Sequence, residues 1–304
     1  MTSTLELVQT IDVANTLGEG VQWHAESNSL WWTDIIGSIL YRFDWSSQTL
    51  HQWTTPEPLT AFGIVSANPV TLLVSFASGI ARYQPDRNGL NWLARPELHL
   101  PGNRFNDGRV DRQGRFWSGT MQSLGDRKPT GTLYRSDEQG CHPVLKNLTI
   151  PNTLCWSLDG QRMYHADTPT GRINQYQFDP VSGTPSHAAE FAKVPRGYPD
   201  GATIDAEDHL LCALFGGSAV ARFSPKGILT TLHELPVSQP TCVALGGPGM
   251  NLLFITSATE NMTDHQLDVE PLAGSVLVYS TPYRGVAESA PLVSRCPVSA
   301  DAAR

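Results

Sequence analysis

The chain has 304 residues, of which 16 % are charged, and a formal net charge of −8. That acidity leaves no basic footprint for nucleic acid or an anionic lipid surface, and no run of about 18 apolar residues is present to span a membrane. Gly (26) and Pro (22) are scattered as punctuation along the whole length, which predicts many short elements joined by turns.

Met1 to Glu6 has neither a basic nor an apolar leader segment, so no export signal is read there. The next stretch, Leu5 to Val13, reads as a strand. A three-part phrase then recurs, and internal repeats take precedence over any local reading. The first copy enters at Glu19, runs through apolar Leu30-Trp31-Trp32-Thr33-Asp34, and continues as Gly37-Ser38-Ile39-Leu40-Tyr41-Arg42-Phe43. The second enters at Phe62, followed by Leu72-Leu73-Val74-Ser75 and Ser78-Gly79-Ile80-Ala81-Arg82-Tyr83. The third enters at Asp107, followed by Phe116-Trp117-Ser118-Gly119 and Gly131-Thr132-Leu133-Tyr134-Arg135. Entries at Asn152, Asp200 and Thr241 begin three further copies.

The entries recur roughly every 40 to 48 residues, the period of a four-stranded propeller blade. Stretches such as Leu50 to Trp53 and Ile228 to Leu232 supply the fourth strands. The expected fold is all-β: a six-bladed β-propeller of four-stranded antiparallel blades. The N-terminal strand has no blade of its own and should close the ring beside the strand around Val276. No linker interrupts the pattern, so residues 1–304 read as one domain. Helical periodicity is absent over any useful length.

Equivalent phases of successive repeats point in equivalent directions about a propeller axis. Glu19, Asp107, Asn152 and Asp200 therefore should converge at one mouth of the channel. Three carboxylates and an amide in one ring call for a cation, and all-oxygen ligands suit a hard divalent ion. Taken singly, Glu-Gly and Asp-Gly are also ordinary turn signals. The densest polar cluster is Pro101-Gly102-Asn103-Arg104-Phe105-Asn106-Asp107-Gly108, where a guanidinium and an amide are placed to hold sugar hydroxyls or a developing oxyanion. A solvated turn with an Arg–Asp pair is its plainer reading.

Other features carry less. The nine histidines form no zinc pattern. No GxSxG elbow is present. Gly246-Gly247-Pro248-Gly249 lacks the Lys-Ser/Thr of a phosphate loop and reads as a turn. Asp34 and Asp167 read as structural caps of adjacent turns, and His165 as a structural residue. The five cysteines (Cys141, Cys155, Cys212, Cys242 and Cys296) are odd in number and far apart. They predict a reduced, cytoplasmic compartment.

Along nearly its whole length the chain resembles the gluconolactonase / regucalcin (senescence marker protein) / luciferin-regenerating-enzyme family. The motifs that carry this are Leu17-Gly18-Glu19-Gly20, Leu30-Trp31-Trp32-Thr33-Asp34, and Arg104-Phe105-Asn106-Asp107-Gly108-Arg109-Val110-Asp111 with Gly114 to Met121. Ile150-Pro151-Asn152 and Pro199-Asp200-Gly201 follow in order. The resemblance implies a propeller with one divalent metal (Ca, Zn, Mg, Mn or Fe) held by Glu19, Asn152 and Asp200. It implies that Arg104 and Asn106 meet the oxygens of a sugar lactone, with Asp107 beside them to orient the attacking water.

The implied reaction is metal-dependent hydrolysis of an aldonolactone to the aldonic acid, in carbohydrate catabolism, with Asp200 as general base as well as ligand. A calcium- or metal-binding regulator of the regucalcin kind is the alternative, and a propeller used as an interaction platform a more distant one. Two departures stand out. Thr153 replaces the glycine common after the metal-binding Asn and is expected to narrow the pocket. Gln122, Ser123 and Leu124 stand where regucalcin-like members carry acidic residues. A monomer acting on a small lactone, with no nucleic acid and no membrane, is the expected state.

Overall fold

A computed structural model of the chain describes residues 5–292. Twenty-four strands, β1 to β24 in chain order, form six four-stranded antiparallel sheets. Each sheet is a blade. The innermost strands are β2 (Gly18–His24), β6 (Leu59–Ala67), β10 (Asn103–Val110), β14 (Pro151–Trp156), β18 (Tyr198–Ile204) and β22 (Pro240–Gly246). Each packs on the next, and β22 packs back on β2, closing a ring around a channel. The expected propeller is therefore the observed one.

Closure follows the expectation too. Strand β1 (Glu6–Ile11) pairs antiparallel with β24 (Val276–Ser280), with Ile11 opposite Val276. The last blade is thus built from both ends of the chain. The fourth strands foreseen near Leu50 and Ile228 are β5 (Thr49–Thr54) and β21 (Leu229–Glu234).

The strand next to the innermost one is the most apolar in each repeat because both its faces are covered by neighbouring blades. Every residue of β3 (Ser29–Asp34) and β7 (Val70–Phe76) is buried, whereas the outer β5 is almost wholly exposed. The core is accordingly divided into slabs, one between each pair of adjacent blades. Between the third and fourth blades Trp117 and Trp156 meet with ring centroids 5.6 Å apart. The Trp117 indole N–H donates to Asp111 Oδ2 at 3.0 Å, so that a polar edge is satisfied inside an apolar slab.

Polar side chains also link blade to blade near the axis. Gln22 donates to the Phe62 carbonyl at 3.0 Å, Asn106 to that of Pro151 at 3.1 Å, and Thr168 to that of Pro199 at 2.9 Å. Thr241 donates to the Gly18 carbonyl, joining the last blade to the first.

All six inner strands run the same way, so one mouth of the channel carries their N-terminal ends. We call it the upper mouth. The lower mouth is crossed by residues 281–292. There Gly285 N donates to Met250 O at 2.7 Å, the Ala206 N–H to Arg284 O at 2.7 Å, and Leu292 N to Gly114 O at 2.8 Å. This segment sends Glu288 into the channel to pair with Arg109 at 2.5 Å.

The structure adds one short helix, α1 (Asp264–Val269), to the long connection before β24, started by a capping box between Thr263 and Gln266. No helix among the described residues is long and apolar enough to cross a membrane. Gly246 to Gly249 ends β22 and enters a turn, as read. Cys155, Cys212 and Cys242 are buried free thiols; Cys296 lies outside the described residues.

Candidate active site

Four of the six repeat entries, Glu19, Asp107, Asn152 and Asp200, lie on inner strands at the upper mouth. At each of them the ladder to the second strand loses register: between Glu19 and Gln22, Phe105 and Gly108, Asn152 and Cys155, and Pro199 and Ala202. Bulges bend a strand and re-aim a side chain. Here they turn polar residues inward at the same point of the first, third, fourth and fifth blades.

Glu19, Asn152 and Asp200 are buried, at 8 %, 5 % and 7 % exposure. The carboxyl groups of Glu19 and Asp200 are within hydrogen-bonding reach of each other. Burial, and then the nearby Asp107 charge, push Glu19 up to about 8. Burial and the charges of Glu19 and Asp107 hold Asp200 well above the usual carboxylate range. Burial raises Asp107 to about 6, against the N–H bonds it accepts from Leu154 and Gly108. Among the described residues none of the three forms an ion pair, although the Arg104 charge lowers Glu19 and the Arg109 charge lowers Asp107 in part.

Asn152 is held in one orientation. Thr168 Oγ1 donates its proton to the Pro199 carbonyl and can only accept from Asn152, which donates Nδ2 at 2.8 Å. The amide oxygen of Asn152 then faces Asn106, which donates to it at 3.0 Å. A fixed amide oxygen beside two carboxyls that must hold a proton to coexist is a donor set that fits a hard divalent cation.

Arg104 and Asn106 form one unit. Arg104 Nη1 donates to Asn106 Oδ1 at 2.9 Å and to the Phe105 carbonyl at 2.7 Å. Burial lowers the Arg104 pKa from its ordinary value, with Glu260 and Arg127 its strongest charged neighbours. Both protons of Asn106 Nδ2 are used, on Asn152 and on the Pro151 carbonyl. Among the described residues, Arg104 Nε and Nη2, and a lone pair on Asn106 Oδ1, are left for a ligand. The Arg–Asp turn considered from the sequence does not form: residues 103–110 are strand, and Asp107 binds backbone N–H groups instead.

Other readings resolve as follows. Asp34 accepts the N–H groups of Thr16, Leu17 and Gly37, and Asp167 those of Thr149 and Ile150; both are structural caps. The Gln122 side chain is spent inside its own loop, on Leu124 O and Lys128 N. Thr153 does not narrow the mouth. It is fully buried and its hydroxyl donates to the Asp200 carbonyl at 2.6 Å. Thr168 was not legible as a site residue, since its role depends on a neighbouring blade. A second group of possible ligands, Asp205, Glu207 and His209, lies at the far end of β18. There Asp205 is already paired with Arg222 at 2.6 Å and bound to two N–H groups of its own turn.

Comparison with known proteins gives the family and the fold. Residues 17–259 match the sequence profile described as the SMP-30/Gluconolactonase/LRE-like region. The chain is similar to the 6-deoxy-6-sulfogluconolactonase of Pseudomonas putida, with 35 % identity over 95 % of this chain and 98 % of that one. It is similar to the L-arabinolactonase of Azospirillum brasilense, with 34 % identity over 91 % and 92 %. Its fold matches the crystal structure of regucalcin, a calcium-binding protein from Agrobacterium tumefaciens. That match has a TM-score of 0.87 and 28 % identity, and covers 97 % of this chain and all of that one.

Proposed function

The chain belongs to the SMP-30/gluconolactonase/LRE-like family, and from that premise we propose that it is a metal-dependent sugar lactonase, hydrolysing an aldonolactone to the open-chain aldonic acid. The observation that carries this reading is the meeting of Glu19, Asn152 and Asp200 with the Arg104–Asn106 unit at one mouth. Two relatives whose names state lactone hydrolysis support it.

Glu19, Asn152 and Asp200 are the residues that would hold the cation. Bound there, a divalent ion supplies Lewis acidity toward a lactone carbonyl and a charge that keeps both carboxyls ionised. The chain's own residues do the rest. Arg104 offers Nε and Nη2 to the ring oxygens and to the oxyanion that develops when water adds to the carbonyl carbon. Asn106 Oδ1 accepts from a sugar hydroxyl and fixes the ring relative to Arg104. Asp200, once ionised, takes the proton of the attacking water, and Asp107 orients that water from the third blade. Collapse of the tetrahedral adduct breaks the ring C–O bond, and the proton returns to the departing alkoxide. The carboxylate product releases one proton to solvent at neutral pH.

The test is proton release on a panel of five- and six-membered aldonolactones, before chelation, after it, and with single cations restored. Turnover that survives exhaustive chelation, or no turnover on any lactone, overturns the reading. A cation-binding regulator is the second reading, supported by the likeness to a calcium-binding structure. Such a protein has no use for Arg104 and Asn106. Tight cation binding with no lactone turned over would favour it.

A further inference from the structure

Thr153 follows Asn152 in β14 and sits at φ = +59°. That is the left-handed region, where a β-branched side chain is an outlier and the backbone is strained. The first blade meets the same local requirement differently. There the residue after Glu19 is Gly20, at φ = +61°, and glycine adopts that conformation without strain. The two positions are the same step of the repeat, one residue beyond a proposed cation ligand and inside the corresponding bulge of its own blade. A glycine at 153 would carry no strain, so the threonine has to supply something glycine lacks.

The structure shows what that is. The Thr153 side chain is fully buried, and its Oγ1 donates to the main-chain carbonyl of Asp200 at 2.6 Å. The same hydroxyl lies 3.7 Å from Cys212 Sγ, on the second strand of the fifth blade. One side chain therefore reaches from the backbone beside Asn152 to the backbone of Asp200. A second tie runs in parallel from Asn152 through Thr168 to Pro199, the residue before Asp200.

We propose that Thr153 is a positioning residue for the cation site: its hydroxyl locks the turn that presents Asn152 onto the main chain of Asp200, so that donors from two blades keep one spacing. The inference rests on the reading of Glu19, Asn152 and Asp200 as cation ligands. Backbone strain at 153 is the cost of that lock, retained because pre-set donors bind a cation without first having to be ordered.

Three variants of the full chain separate this role from packing. Thr153→Gly removes strain and hydroxyl together, Thr153→Val keeps the branched shape and removes the hydroxyl, and Thr153→Ser keeps the hydroxyl. Calorimetric titration with Mn²⁺ alone and with Ca²⁺ alone reads the dissociation constant, and thermal unfolding in EDTA reads the metal-free fold. The expected result is binding weakened about 10- to 100-fold in the Gly and Val variants and held within about threefold of the parent in the Ser variant. Metal-free Thr153→Gly should melt no lower than the parent. If Thr153→Gly or Thr153→Val binds both ions as the parent does, the inference fails while the cation site stands. A variant series whose metal-free melting falls while affinity holds assigns Thr153 to packing alone and also overturns it. A parent that binds neither ion sinks the site and this inference together. Should Thr153→Gly not fold, the Val and Ser variants decide the matter by the same affinity ratio.

Discussion

Glu19 and Asp200 stand on the first and fifth blades, yet their carboxyl groups lie within hydrogen-bonding reach of each other. Two ionised carboxylates cannot share that distance without a counter-charge, so in the metal-free chain at least one holds a proton. Glu19, raised to about 8 mainly by burial, is protonated more readily folded than unfolded. Its contribution to stability is therefore complete below the unfolded value near 4.5 and is lost as pH rises through about 8. In EDTA the chain should melt higher at pH 6.5 than at pH 9. Saturating divalent cation should shrink that difference, as should Glu19→Gln. Identical pH slopes for the parent and Glu19→Gln in EDTA would remove Glu19 from this account.

Removing Asp200 takes away a proposed ligand and the proposed base together, whereas removing Arg104 takes away donors to the substrate. Asp200→Ala should lower kcat/KM by about 10³-fold or more, and Arg104→Ala by about 10²-fold. Mn²⁺ binding should be lost in the first and kept in the second. Steady-state kinetics on the best lactone of the panel, with calorimetry alongside, checks both; near-parent rates in either variant contradict its assigned role.

Thr168 touches no proposed substrate atom. It pins the Asn152 amide at 2.8 Å while donating to the Pro199 carbonyl. Thr168→Val leaves the shape and frees the amide to rotate. A loss of about 10- to 100-fold in cation affinity is expected, the range seen when partners behind a metal ligand are removed. An unchanged Mn²⁺ titration curve would show that the amide needs no such anchor.

Arg109 and Glu288 plug the lower end of the channel. Burial alone would raise Glu288, but Arg109 outweighs it and holds its carboxyl below the ordinary value. Glu288→Gln should destabilise the fold by about 3 kcal/mol, since removing one partner strands a largely buried charge. Replacing both, as Arg109→Met with Glu288→Leu, should recover much of that loss. Urea unfolding of the three proteins measures it, and a neutral single substitution would show that water reaches the pair.

Trp117 tests the slab between the third and fourth blades. Trp117→Ala should cost about 3–5 kcal/mol by cavity formation, with kcat/KM little changed below the melting range because Trp117 lies away from the mouth. Denaturant midpoint and kinetics measured on the same sample separate the two effects.

The repeats, the blade count and the closure by β1 were legible in the sequence because each blade buries its second strand between two neighbours. That burial writes the same apolar run, as in Leu30 to Thr33 and Leu210 to Ala213, into every copy. Equal phase then made it readable that Glu19, Asp107, Asn152 and Asp200 face one mouth, for phase along a repeat becomes angle around an axis. The chain alone does not reveal the bonds that cross between blades. Asn106 donates to Asn152 across 46 positions, Thr153 to Asp200 across 47, and Arg109 to Glu288 across 179. No local propensity marks those partners. The left-handed backbone at Thr153, the orientation of the Asn152 amide and the plug at Glu288 are set by which strands ring closure brings side by side, and only the folded ring decides that.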